Sequence, residues 1–122
     1  MNEYERHIKA VLGAWNTTSA TEQADIAAKS LEHNLHFVDP NHNIIGRQAF
    51  LDMVKVVQAR LPGAVYSHES EIGFQNNFCR YHWAIRVKGE TVMTGFDVTE
   101  VNDAGRLVKI IGFFGELECT AP

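Results

Sequence analysis

Residues 91 to 118 decide the fold: Thr91-Val92-Met93-Thr94-Gly95-Phe96-Asp97-Val98-Thr99-Glu100-Val101, then Asn102-Asp103-Ala104-Gly105-Arg106, then a second apolar run from Leu107 to Glu118. A period of two runs through both apolar stretches. Met93, Gly95, Asp97, Thr99 and Val101 share one face of the first strand, with Val92, Thr94, Phe96 and Val98 on the other. In the second, Val108, Ile110, Gly112 and Phe114 oppose Leu107, Ile111, Phe113 and Leu117. The intervening Asn, Asp and Gly are turn formers, so the strands run antiparallel. Both faces are largely apolar, as a sheet requires when one face lines a pocket and the other packs on a second subunit. A homodimer through the outer face is therefore expected.

Upstream, residues 78–87 form another strand, joined to 91–101 by Lys88-Gly89, and 65–72 a further one. Leu35 to Val38 alternate in character before Asp39-Pro40, and Pro40 lacks a ladder donor, so a short strand ends at Asp39. The N-terminal half has a helical period instead. Tyr4, Ile8, Val11, Leu12 and Trp15 make one apolar stripe, and Ser19-Ala20-Thr21-Glu22 reads as a capping box opening a second helix towards Leu31. After a turn at Asn41-His42-Asn43, Ile44-Ile45-Gly46 leads into a third helix carrying Phe50, Val54 and Val57, stopped by Leu61-Pro62-Gly63. Helices first and a strand meander later specify an α+β domain over residues 1–122, its three N-terminal helices packed on a curved, mainly antiparallel sheet around an apolar pocket.

The composition, 45% apolar and 21% charged with a net charge of −4, is that of a globular chain able to bury a core. The eleven Lys and Arg are scattered, which excludes the concentrated basic face needed for nucleic acid and a polybasic membrane anchor. No run approaches the length of a membrane span and the N-terminus is polar, so cytoplasm is the expected compartment. Cys79 and Cys119 fall in two different expected strands without metal-type spacing and read as reduced structural thiols, a disulfide between them remaining open.

Phe37-Val38-Asp39-Pro40, Ile45-Gly46-Arg47, Gly95-Phe96-Asp97-Val98 and Asp103-Ala104-Gly105-Arg106-Leu107, in this order across nearly the whole chain, resemble the nuclear transport factor 2-like superfamily, which includes SnoaL-like polyketide cyclases and ketosteroid isomerases. The resemblance implies a cone-shaped mixed sheet. It also puts Asp39 at the isomerases' general base and Asp97 at the carboxylic acid of their oxyanion hole, while Trp15 falls where they carry a tyrosine. An indole gives one N–H donor and is far less acidic than a phenol.

The residues themselves leave alternatives open. Asp39 before a proline is either a pocket carboxylate or a turn cap. Asp97 in mid-strand needs a partner or a purpose: in an apolar pocket, desolvation raises its pKa and holds it protonated near neutral pH, and otherwise it makes a structural hydrogen bond or pairs with Arg80 or Arg86. Two carboxyls with diverging pKa values supply an acid and a base, as in ketosteroid isomerase. Trp15 is core or pocket wall. Alternation sends Tyr81, Trp83 and Ile85 inward and Arg80 and His82 outward. His33, His36 and Asp39 have ligand-type side chains at regular spacing, but the segment crosses from helix to strand, so no metal is expected. No phosphate-cradling glycine loop or nucleophile motif occurs, and no cofactor is expected.

The resulting expectation is an isomerase or cyclase moving a proton on a small hydrophobic carbonyl compound. Asp39 and Asp97 are its catalytic pair, and Trp15, Met53, Tyr81, Trp83 and Phe114 shape its binding pocket. A non-catalytic binding or dimerisation module is the alternative, and carboxylate-assisted epoxide opening a third reading.

Overall fold

The structure, a computed structural model, describes residues 2–120. Its elements are α1 (Glu3–Asn16), α2 (Ala20–Ser30), β1 (Leu31–Asp39), β2 (His42–Ile45), α3 (Arg47–Arg60), β3 (Val65–His68), β4 (Gly73–Gln75), β5 (Phe78–Val87), β6 (Glu90–Val101) and β7 (Leu107–Phe114). They form one mixed, curved sheet in the order β2-β1-β7-β6-β5-β3, with β4 attached to β5. The pairing of β1 with β7 is parallel and every other described pairing is antiparallel. No helix among the described residues is long and apolar enough to cross a membrane.

The expected helices form, with one change in capping. Ser19 accepts from the Glu22 amide (3.2 Å), but Glu22 reaches the Thr17 hydroxyl (2.7 Å) and not the Ser19 amide, which itself donates to Thr17 Oγ1. Both Gly-Arg pairs are structural. Gly46 and Gly105 hold positive φ (106° and 79°), which only glycine adopts without strain. Arg47 and Arg106 then converge on the Leu31 carbonyl, and Arg106 also takes that of Ala28, so two cations close the C-terminus of α2.

The strands differ from expectation at the edges. β1 begins at Leu31, whose side chain is fully buried, and two strands appear that alternation does not reveal, β2 and β4. Both are short pieces held by pairing to a longer neighbour, with Phe74 of β4 also stacked on Tyr4 (4.3 Å). β3 stops at His68 and β7 at Phe114, leaving Leu117 exposed and Cys119 outside any strand; both cysteines are free. Leu107 lies in the core, not on the outer row, because the β6–β7 register shifts between Glu100 and Val101.

The helices pack on the concave face around Ile8, Leu31, Leu35, Phe50, Val54 and Leu107. Their junction is polar. Buried Gln23 of α2 donates to the carbonyls of Ala14 and Thr17 and to Gln58 of α3, while Gln58 donates to those of Trp15 and Thr17. The open end of α1, which has no basic residue in its last turn, is thereby satisfied by two glutamines. Gln23→Leu strips these partners while keeping the volume. It is expected to lower unfolding free energy by about 1–3 kcal/mol in urea titration, whereas exposed Thr18→Ala changes it by less than about 0.5 kcal/mol.

Candidate active site

Four adjacent strands place one functional row across the concave face. Tyr81 of β5 pairs with Asp97 of β6, Asp97 pairs with Gly112 of β7, and Asp39 of β1 follows Val38, which pairs with Ile111. The order is Asp39, Gly112, Asp97, Tyr81. A Cβ on Gly112 would lie 3.2 Å from Asp97 Oδ1 and 3.5 Å from Asp39 Cβ, so this glycine is the gap across which the two carboxyl residues face each other. Both line a cavity of about 340 Å³, at the small end of the range for ligand sites.

Asp39 is turn cap and pocket carboxylate at once. Its Oδ1 accepts from the Asn41 amide (2.8 Å), closing the turn, and contacts His42 Nδ1 (2.9 Å), while its side chain keeps 11% exposure at the cavity. Both bonds fall on Oδ1. His42, itself a lining residue, fixes the carboxylate's orientation.

Asp97 has neither Arg80 nor Arg86 as partner; Arg86 is engaged by Ser67 and Glu69. It accepts from the Trp83 indole N–H (2.9 Å) and interacts with the buried Tyr81 hydroxyl. Desolvation raises its pKa to about 6, against the lowering effect of those two hydrogen bonds, and the charge of Asp39 adds to the rise. The upward shift expected of a carboxyl in an apolar pocket is present, and the indole and phenol limit it by stabilising the anion. Tyr81, fully enclosed beside that carboxyl, is pushed well above the usual tyrosine range, first by desolvation and then by Asp97.

Trp83 reaches Asp97 because Gly95, its cross-strand partner, has no side chain: a Cβ there would overlap the Trp83 ring and the Phe113 carbonyl oxygen. Phe114 closes on the ring's edge (6.0 Å, 87°). The indole donor to the site therefore comes from Trp83. Trp15 packs between Phe37, Phe50 and Tyr66 as an apolar wall of the cavity.

Of the expected pocket residues, Trp15, Tyr81, Trp83 and Phe114 line the cavity and Met53 does not. Met53 is buried in the core with Phe50 and Val54, and α3 reaches the cavity only at its C-terminal end, through Val57, Arg60 and Leu61. His82 lies on the outer face against Phe96 and near Glu116, and so cannot serve Asp97. In the histidine series His36 bonds Asn43 (2.6 Å) while Asp39 turns to His42. His42, Tyr66 and His68 are lining residues that sequence reasoning missed. For Tyr66 and His68 the signal was their alternation on one face of β3.

The sequence matches no protein-family model and no curated protein. Solved structures do match its shape. A proposed isomerase of the SnoaL-like family from Agrobacterium tumefaciens str. C58 superposes with a TM-score of 0.87 at 24% identity, covering 95% of this chain and 100% of that one. A proposed SnoaL-like polyketide cyclase from Jannaschia sp. CCS1 gives 0.73 at 8% identity (92% and 85% covered), and an LEH-like epoxide hydrolase from M. tuberculosis 0.66 at 19% (93% and 83%). The chain has the fold of these structures; at these identities the likeness carries the fold and not an activity.

Two predictions follow from Gly95 and Asp97. Gly95→Ala displaces the Trp83 ring and is expected to cost about 1–3 kcal/mol of stability, with an altered tryptophan emission spectrum as the sign of the broken bond. Asp97 binds its proton more tightly folded than unfolded, so its contribution to stability is greatest below pH 3.8 and declines until about pH 6. Asp97→Asn removes that decline: its stability relative to wild type, from denaturant titrations, is expected to improve by on the order of 2–3 kcal/mol between pH 4 and pH 7.

Proposed function

We propose that the protein is an isomerase or cyclase that moves a proton on a small hydrophobic carbonyl compound. One observation carries the reading: two carboxyls face each other across Gly112 in an apolar cavity, where desolvation raises the pKa of Asp97. Asp39, oriented through Oδ1, takes the proton α to the carbonyl; the C–H electron pair moves into the carbon framework and the carbonyl π pair onto oxygen. Protonated Asp97 donates to that oxygen, stabilising the enolate where charge develops. Return of the proton to another carbon makes an isomerase, and attack of the enolate on an internal electrophile makes a cyclase. Tyr81 and Trp83 hold Asp97, and the apolar walls exclude water. The SnoaL-like isomerase and cyclase assignments of the matched structures agree with this chemistry.

The second reading is a non-catalytic binding module. Its support is Trp15, which by the sequence resemblance falls where the ketosteroid isomerases carry a tyrosine and which packs as an apolar wall. The free cysteines, one buried and one exposed, fit a reducing cytoplasm.

A second copy of this chain is the occupant we propose for the outer sheet face. Phe96 and Phe113 stack there (5.0 Å, 15°), with Phe113 47% and Val92 51% exposed, apolar side chains that pairing across a two-fold axis would cover. Wild type is expected to sediment at twice 13.7 kDa and Phe113→Asp at the single mass.

The catalytic reading is tested by exchange of the α-hydrogens of phenylcyclohexanone in D2O, followed by NMR. Asp39→Asn is expected to abolish exchange without loss of fold. The wild-type rate should fall as pH rises through about 6, and Asp97→Asn, whose amide also donates, should keep exchange and lose that limb. Full exchange in Asp39→Asn would sink the assignment. Ligand binding without exchange in wild type would favour the binding module.

A further inference from the structure

A glycine in the middle of a paired strand forgoes packing and weakens the strand, so its presence calls for a reason. Gly112 lies in β7 between β1 and β6, and the usual reasons fail there. Its backbone is not among those with positive φ. Nor does main chain crowd it. At Gly95 a Cβ would lie 2.2 Å from the Phe113 carbonyl oxygen and 2.3 Å from the Trp83 ring, whereas the nearest main-chain atom to a Cβ on Gly112 is the Val38 carbonyl oxygen at 3.8 Å, an ordinary contact. The pattern of β7 asks for a side chain at this point, since Ile110 and Phe114, two residues away on either side, share its face and line the cavity.

The place of that side chain is open space. Gly112 is itself a lining residue, and having no side chain it lines the cavity with its main chain. The strand order puts Asp39 of β1 on one side of it and Asp97 of β6 on the other. A Cβ here would stand 3.2 Å from Asp97 Oδ1 and 3.5 Å from Asp39 Cβ. Both are close to van der Waals contact, so the channel above the glycine is about one atom wide. An alanine is a tight fit there and not an overlap, and what its methyl group takes away is the floor between the two carboxyl residues.

We propose that Gly112 is a specificity-determining position: its bare main chain is the floor on which a slender group of the ligand rests between Asp39 and Asp97, so the site selects ketones whose carbonyl projects from a narrow edge and rejects molecules with a branched, tetrahedral centre there. Naming that group a carbonyl rests on the proton-transfer reading. The floor itself does not. A flat carbonyl presents a single oxygen, which accepts from protonated Asp97, while the neighbouring carbon turns a hydrogen towards Asp39. A tetrahedral centre bearing a methyl group extends in a second direction and meets one carboxyl residue inside contact distance. The selection is by width.

Binding of three probes, read by tryptophan fluorescence and calorimetry, tests this: phenylcyclohexanone, the tertiary alcohol formed from it by adding a methyl group at the carbonyl carbon, and phenylcyclohexane. Wild type is expected to bind the ketone about 10-fold tighter than the tertiary alcohol. Gly112→Ala should weaken the ketone about 10-fold, leave phenylcyclohexane, which places no oxygen on the floor, within about 2-fold, and shift Tm by less than about 5 °C. A wild type that binds the tertiary alcohol as tightly as the ketone, or binds neither, overturns the proposal. Unchanged ketone affinity in Gly112→Ala, or equal loss of ketone and hydrocarbon, overturns it too, since the glycine would then serve only to house Asp97. If Gly112→Ala does not fold, wild type decides alone: nuclear Overhauser contacts between bound ketone and the Gly112 α-protons are expected, and their absence overturns the proposal. Asp39→Asn leaves the floor open and should keep the preference for ketone over tertiary alcohol while exchange is lost. That preference in a wild type without α-exchange would keep Gly112 as the selector while the catalytic reading fails.

Discussion

The site exists because β1 runs parallel to β7. The other described pairings are antiparallel, and those of β5, β6 and β7 follow from short turns in the sequence. Only the β1–β7 pairing brings Asp39, from the first half of the chain, beside Gly112 near its end and so opposite Asp97. Its register shifts between Leu31 and His36, close to where Arg47 and Arg106 converge on the Leu31 carbonyl. A slip of one residue here would turn Asp39 to the outer face. The two arginines thus stand behind the site without touching it.

Asp97 embodies a conflict between solvation and hydrogen bonding. Apolar walls favour its neutral form, while Trp83 and Tyr81 favour the anion, and the balance falls close to physiological pH. Deeper burial alone would lock the proton on, and stronger donors would strip it off. Gly95 sets the compromise, since its missing side chain admits the indole. An ionisable group held in mid-strand against its own desolvation is the kind of local inconsistency that marks functional positions.

The strands of the second half and the three helices were legible because long, regular periods announce them; Asp97 was legible as a carboxyl out of place in mid-strand, and Asp39, at home before a proline, only through the family resemblance. β2 and β4 were not, since strands of three or four residues are too short to show alternation and take their conformation from a neighbour's ladder. Relations across strands were equally hidden. The reach of Trp83 depends on Gly95, twelve residues away in sequence, and the hold on the Tyr66 backbone on Asn16 of α1. Met53 falls in the core and not in the pocket because the apolar face of α3 serves core and cavity in succession along its length.

The junction of the three helices has a consequence for how this cavity tolerates change. Greasy helix contacts slide when a side chain is trimmed, whereas the amides of Gln23 and Gln58 grip carbonyls in fixed directions. The roof over the sheet is held by bond angles at its hinge line and not by the fullness of the chamber beneath. Residues such as Val57, Ile85 and Met93 are therefore free to drift in size without the chamber collapsing onto them, which leaves the repertoire of accepted molecules open to change while the framework stays put.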